Sequence, residues 1–159
     1  MITKITGPMT SRKSFHLIAD WLADTGSSVC IKPADFDRDG SWIASRACHV
    51  QVPCVMVDNV DELVLDVDTL YVDEAQGFTY GELLVLSRMA DNVRFYGLDE
   101  WATREQTSIG EMKVDVAVGL VADCKCGGIA TMTKWVSGDD PIFAVYEACC
   151  ERCWDVKND

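Results

Sequence analysis

Short β-branched runs alternate with amphipathic segments along this chain, and that alternation is what most narrows the folds open to it. Ile2-Thr3-Lys4-Ile5-Thr6 stops at Gly7-Pro8 and reads as a buried first strand. From Ser14 onward the apolar residues Phe15, Ile18, Trp21 and Leu22 fall at helical spacing as far as Thr25-Gly26, where glycine suits a left-handed terminal residue. Val29-Cys30-Ile31 gives a second strand and Val52 to Val57 a third extended segment, and Asp58-Asn59 caps a short helix through Leu65. Leu70-Tyr71-Val72 runs into Asp73-Glu74, residues 80 to 90 read as a helix, and Val93 to Tyr96 form the next strand, closing at Gly97. Strands and helices in this order predict an α/β fold with a mainly parallel sheet, in which ligands bind beyond the carboxyl ends of the strands. At about Asp123 the composition shifts toward Cys and Gly, dividing the chain into a core over 1–122 and a small subdomain over 123–159.

The chain has 159 residues, 48% of them hydrophobic, enough for one globular core. No stretch reaches the roughly 20 consecutive apolar residues of a membrane span, so no membrane association is expected. Met1 to Met9 lacks the pattern of a secretory signal, and a cytoplasmic location is expected. The net charge of −12 is uneven: residues 1–46 hold six Lys/Arg against five acids, the remainder eight against 21. A surface this acidic repels the nucleic-acid backbone, so nucleic acid is not an expected partner.

The one anion-friendly region contains Gly7-Pro8-Met9-Thr10-Ser11-Arg12-Lys13-Ser14, set between strand and helix. Backbone N–H groups and the helix N-terminus can cradle phosphate oxygens there. The pattern G-x-x-x-x-G-K-[ST] is met except that Arg12 replaces the second glycine. In such a loop Lys13 would reach the outer phosphates of ATP and Ser14 would join the shell of Mg²⁺. If position 12 takes a positive φ, its side chain costs roughly 1 kcal/mol. By itself the segment is equally an ordinary turn with a surface lysine. Asp73-Glu74-Ala75-Gln76 tips the balance, because Asp73 follows an apolar strand, as a second carboxylate for Mg²⁺ should, and Glu74 could take a proton from an attacking hydroxyl. Read alone, the pair is a solvated helix start.

Cys30, Cys48 and Cys54 are scattered, whereas Cys124, Cys126, Cys149, Cys150 and Cys153 crowd the C-terminal region. Cys150-Glu151-Arg152-Cys153 is a C-x-x-C knuckle, and with Cys124-Lys125-Cys126 it offers four thiolates to one structural Zn²⁺. Cys149 is then a spare thiol, read as a small core hydrophobe. His16 and His49 lack partner motifs and read as packed or exposed.

Taken together, Gly7-Pro8-Met9 through Lys13-Ser14, Lys32-Pro33-Ala34 with Asp37-Arg38, Asp73-Glu74-Ala75-Gln76, Gly97-Leu98-Asp99 and the late Cys clusters span positions 7 to 154. In this order they resemble the zinc-containing thymidine kinases of the cellular, type II class. The resemblance implies a RecA-like P-loop core with a small C-terminal zinc-binding lasso subdomain. It implies transfer of the ATP γ-phosphoryl group to the 5′-hydroxyl of thymidine or a related pyrimidine deoxynucleoside, and a homo-oligomer, commonly a tetramer. Glu74 would be the general base and Arg38 would help bind the reacting phosphates, with Lys13. Thr133 and Tyr146 would lie at the base and the sugar, and Phe78 and Trp101 would supply aromatic surface. The same alignment sets Asp123 at the first zinc-ligand position, leaving open whether Asp123 or Cys149 substitutes for a Cys ligand. It also places Gly77 where the first of two aromatics usually follows Asp-Glu-x-Gln, and Ala102 and Thr107 where Phe is usual. These losses of aromatic surface favour a second expectation, a degenerate kinase fold kept as a nucleotide-binding or protein-interaction module.

Overall fold

The computed structural model describes residues 1–36, 39–138 and 145–155. Its centre is a six-stranded, wholly parallel sheet. The strands are β1 (Ile2–Thr6), β2 (Ser28–Pro33), β5 (Val55–Val57), β6 (Thr69–Val72), β7 (Asn92–Gly97) and β8 (Val116–Gly119), in the order β5-β2-β6-β7-β1-β8. The chain therefore has the expected mixed α/β architecture. Strand β6 is buried along its whole length, as a central parallel strand covered on both faces should be.

Alternate residues feed two apolar layers. Ile31, Leu70, Val72, Val93 and Phe95 face one side, where α2 (Tyr80–Leu86) and α3 (Ser108–Glu111) supply Leu83, Leu86 and Ile109. Ile5, Cys30, Tyr71 and Tyr96 face the other, against Leu17 and Ile18 of α1 (Lys13–Ala23). The same layer takes Ile43 and Val52 from an antiparallel hairpin, β3 (Trp42–Ala44) with β4 (Gln51–Pro53).

Several local expectations are corrected. The buried stripe of α1 is Leu17-Ile18 with Trp21 beside it, while Phe15 and Leu22 are exposed. Gly26 is not left-handed; the helix ends at an extended Asp24 whose N–H bonds back to Asp20 and Trp21. The extended segment 52–57 is two strands in two sheets, because Cys54 N–H turns to the Ser41 carbonyl (2.9 Å) and separates β4 from β5. The segment after Asn59 is one 3₁₀ turn, Val60–Glu62, capped by the Asn59 side chain. The helix over 80–90 stops at Leu86; its start carries a reciprocal Thr79–Glu82 capping box.

Beyond β8 the chain forms two small antiparallel pairs, β9 (Ala122–Asp123) with β10 (Ile129–Ala130) and β11 (Met132–Ser137) with β12 (Val145–Cys149), then one turn of helix, α4 (Glu151–Trp154). Their own apolar cluster is Cys124, Ala130, Met132, Ala148 and Cys149. No helix among the described residues is long and apolar enough to cross a membrane.

Candidate functional site

Because the six strands are parallel, their carboxyl ends share one edge, and the motif residues leave the sheet there. Thr6 of β1 leads to Gly7–Ser14, Val72 of β6 to Asp73-Glu74, and Gly97 of β7 to Leu98-Asp99. Gly7 lies tight against the start of the segment after β8; a Cβ on it would stand 2.7 Å from the Leu120 carbonyl oxygen and 2.8 Å from Ser11 Oγ. Lys13 Nζ folds across the loop and donates to the carbonyls of Gly7 (2.9 Å) and Pro8 (2.7 Å) and to Ser11 Oγ (3.3 Å). Ser14 Oγ stands 3.5 Å from Asp73 Oδ2. Gln76 is buried and bridges two strand ends, donating to Glu74 Oε2 (2.6 Å) and accepting from Leu98 N–H (3.1 Å). Gly97 permits this, since a Cβ there would lie 2.6 Å from Gln76 Oε1. Asp99 is held by the Thr6 hydroxyl and by Lys4 (3.7 Å).

Charge is concentrated in this edge. Burial pushes the Lys13 ammonium down to about 8 against the opposing pull of Glu74, Asp73 and Asp99. Burial and then the Glu74 carboxylate push Asp73 up to about 7. Backbone strain gathers here too: Thr10 and Arg12 (both φ 64°) and Glu74 (φ 48°) are left-handed without being glycine. Arg12 thus adopts the conformation that the missing glycine would take without strain, and it is the N-terminal flank of α1.

The two segments expected to converge, around Lys13 and around Asp73-Glu74, do so. Thr133 joins them from β11: its buried hydroxyl accepts from Met9 N–H (3.0 Å). A cavity of about 320 Å³ lies between Gly7-Pro8, Asp99-Glu100-Arg104 and Met132-Thr133. Phe78 is not brought to this edge. It is 4% exposed in the core with Leu83 and Ile109, because its backbone turns it under the sheet while its carbonyl accepts from Ser108 Oγ (2.6 Å). Trp101 is partly exposed on the loop after β7, and Tyr146 pairs across β12 with Trp135; neither lines the cavity. Thr107 is buried as the cap of α3, its hydroxyl accepting from Gly110 N–H (3.1 Å). Asp37 and Arg38, and residues 139–144 of the segment between the two Cys pairs, lie outside the described residues.

The sequence reading missed Arg104. It is left-handed (φ 71°), paired with Glu100 (3.1 Å), donates to Met132 Sδ and stacks over the Trp154 ring at 5.5 Å. No residue spacing announces it, since its partners lie on three separate segments.

The sulfurs of Cys124, Cys126, Cys150 and Cys153 all lie within 4.8 Å of one another, and Cys126 Sγ is 3.6 Å from Cys150 Sγ. A tetrahedron with metal–sulfur bonds of about 2.3 Å has edges of about 3.8 Å, so the four residues fit an ion such as zinc. The N–H groups of Cys126 and Cys150 pull the Cys124 thiol down to about 6. By contrast burial pushes Cys30 up to about 12, an inert core thiol. Asp123 is exposed and outside the group, and Cys149 is buried in the small core, so neither replaces one of the four. With four thiolates the shell is closed, and the ion would staple the subdomain and leave no position for substrate. No family model and no curated protein sequence matches the chain.

Proposed function

We propose that the chain is an ATP-dependent deoxynucleoside kinase with a RecA-like P-loop core, phosphorylating the 5′-hydroxyl of thymidine or a related pyrimidine deoxynucleoside. The observation that carries this reading is the meeting of Lys13 and Ser14, at the start of α1, with Asp73 and Glu74, at the end of β6. A phosphate loop needs its lysine aimed into the loop, and Lys13 is held there by the Gly7 and Pro8 carbonyls. Ser14 and Asp73 are the pair that would hold the Mg²⁺ of Mg·ATP, which offsets charge on the β- and γ-phosphates.

In the reaction the acceptor 5′-oxygen forms a bond to the γ-phosphorus, the bond from that phosphorus to the β,γ-bridging oxygen breaks, and ADP leaves. The hydroxyl proton passes to a Glu74 oxygen. Gln76 orients Glu74 by donating to Oε2, so the carboxylate meets the acceptor in a fixed rotamer. Lys13, once it turns from the loop carbonyls to the phosphates, gains further anionic partners that offset its burial. Arg38, by the resemblance, belongs to the same phosphate region. The four-cysteine centre is structural zinc in this reading, and self-association as a homo-oligomer belongs to it.

Product formation from Mg·ATP and a panel of pyrimidine deoxynucleosides tests the proposal. Glu74→Gln and Lys13→Ala should each lower turnover by at least about 100-fold, the scale of a lost base or charge stabiliser. Absence of turnover with every pyrimidine deoxynucleoside, in metal-loaded protein, would refute it. Arg12 favours a second reading, since a left-handed residue that is not glycine strains the loop that would cradle phosphates. In that reading the fold binds nucleotide or a protein without turnover, and calorimetry showing ATP binding with no phosphorylated product would select it.

A further inference from the structure

A nucleoside acceptor needs a flat apolar face for its base within reach of Glu74, and the aromatics singled out in the sequence do not provide one. Phe78 is in the core, and Trp101 is carried by the loop after β7 and not by a segment next to Glu74. Gly77 closes the 3₁₀ turn Ala75–Gly77 that follows Glu74, and its surroundings show what occupies that place. A Cβ on Gly77 would stand 2.4 Å from Phe36 Cε2, 2.7 Å from Pro33 Cγ and 2.9 Å from Phe36 Cδ2. The Cδ2–Cε2 side of the ring therefore lies against a backbone that only glycine allows so close. Phe36 reaches it from the turn after β2, where its N–H bonds the Pro33 carbonyl (3.1 Å), and the residue remains half-buried.

Resting on the kinase reading above, we propose that Phe36 is the stacking platform for the acceptor's base. The aromatic surface comes from the β2 loop and lies over Gly77, in place of a side chain carried by the turn itself. Glycine at 77 and phenylalanine at 36 then form one specificity device: the first makes room and the second fills it.

Steady-state kinetics on Phe36→Leu, which keeps apolar bulk against Gly77 and Pro33 but removes the π-face, test this. The acceptor KM should rise about tenfold, the order one base–aromatic stack supplies, with the KM for ATP unchanged. Phe36→Tyr should restore it. Gly77→Ala, which must push the ring away, should raise the acceptor KM in the presence of Phe36 and add little on top of Phe36→Leu. A readout without turnover is Phe36→Trp, whose added emission should be quenched by the nucleoside alone. Wild-type turnover with an acceptor KM unmoved by Phe36→Leu would overturn the stacking role and leave the kinase reading intact. No turnover by the wild type, together with no quenching in Phe36→Trp, would overturn both.

Discussion

At the scale of single residues, the candidate site stores opposed charges that the ligand-free protein pairs poorly. Asp73 has its carboxyl raised from 3.8 to about 7, first by burial and then by Glu74. Over that range the native state keeps a proton that the unfolded chain has lost, so stability falls as pH rises from about 4 to 7. Lys13 has the opposite sense: lowered from 10.5 to about 8 by burial, it is deprotonated in the native state while the unfolded chain still binds the proton, so its contribution to stability grows between those values. These two groups together contribute least to the stability of the unliganded protein between about pH 7 and 8. Asp73→Asn removes the first limb. Its melting temperature at pH 7.5 should exceed that of the wild type by about 2–4 °C, with no such gain at pH 4, and under the kinase proposal its activity should be lost. Equal melting temperatures for the two proteins across pH 4 to 8 would show that Asp73 is paired better than its burial implies.

The start of α1 shows at the scale of elements how a loop carries strain. Arg12 takes φ 64° and ψ 29° and offers no capping bond, so α1 begins without side-chain help and with a left-handed non-glycine residue. Arg12→Gly should stabilise the fold by about 1 kcal/mol, raising the melting temperature by about 3 °C in thermal melts. A loss instead would mean that the Arg12 side chain holds the loop. That position was legible beforehand because the loop pattern demands glycine there, and so were the strands β1, β2, β6 and β7, whose apolar runs are bounded by Gly, Pro or Asp. The β3–β4 hairpin was not legible. Trp42-Ile43-Ala44 and Gln51-Val52-Pro53 are three-residue strands with one buried residue each, Ile43 and Val52, too short for a period to emerge. The α1 stripe misled because Phe15 and Leu22 fit the spacing yet face outward, and the face buried by Leu17-Ile18 is set by the sheet beneath. Motif spacing pointed to Lys13, Ser14, Asp73 and Glu74, which the fold brings to one sheet edge, and to the four clustered cysteines, whereas the contacts of Phe36 and Arg104 join distant segments that no local pattern encodes.

Over the whole molecule, the C-terminal subdomain is the part least able to stand alone, and it also touches the loop between β1 and α1. Its apolar cluster of Cys124, Ala130, Met132, Ala148 and Cys149 is smaller than either layer of the main sheet, so a metal ion held by the four thiolates would supply much of its order. It meets the core through Met9 N–H to Thr133 Oγ1 and through Arg104 stacked on Trp154, one residue beyond Cys153. Removal of the metal should therefore act beyond the cysteines. After chelation, hydrogen exchange should speed up across β9 to β12 and at the Met9 amide, whose acceptor lies on β11, while β1, β6 and β7 stay protected by their own apolar layers. Cys126→Ala should reproduce the pattern, and Cys149→Ala should still bind one metal equivalent, because that thiol packs in the core outside the four. Unchanged protection at Met9 and β11 in metal-free protein would mean that contact with the core, and not the ion, orders the subdomain. The expected result makes the metal a remote determinant of the loop's shape: Thr133 fixes Met9, Met9 follows Pro8, and Pro8 carries one of the carbonyls that aim Lys13.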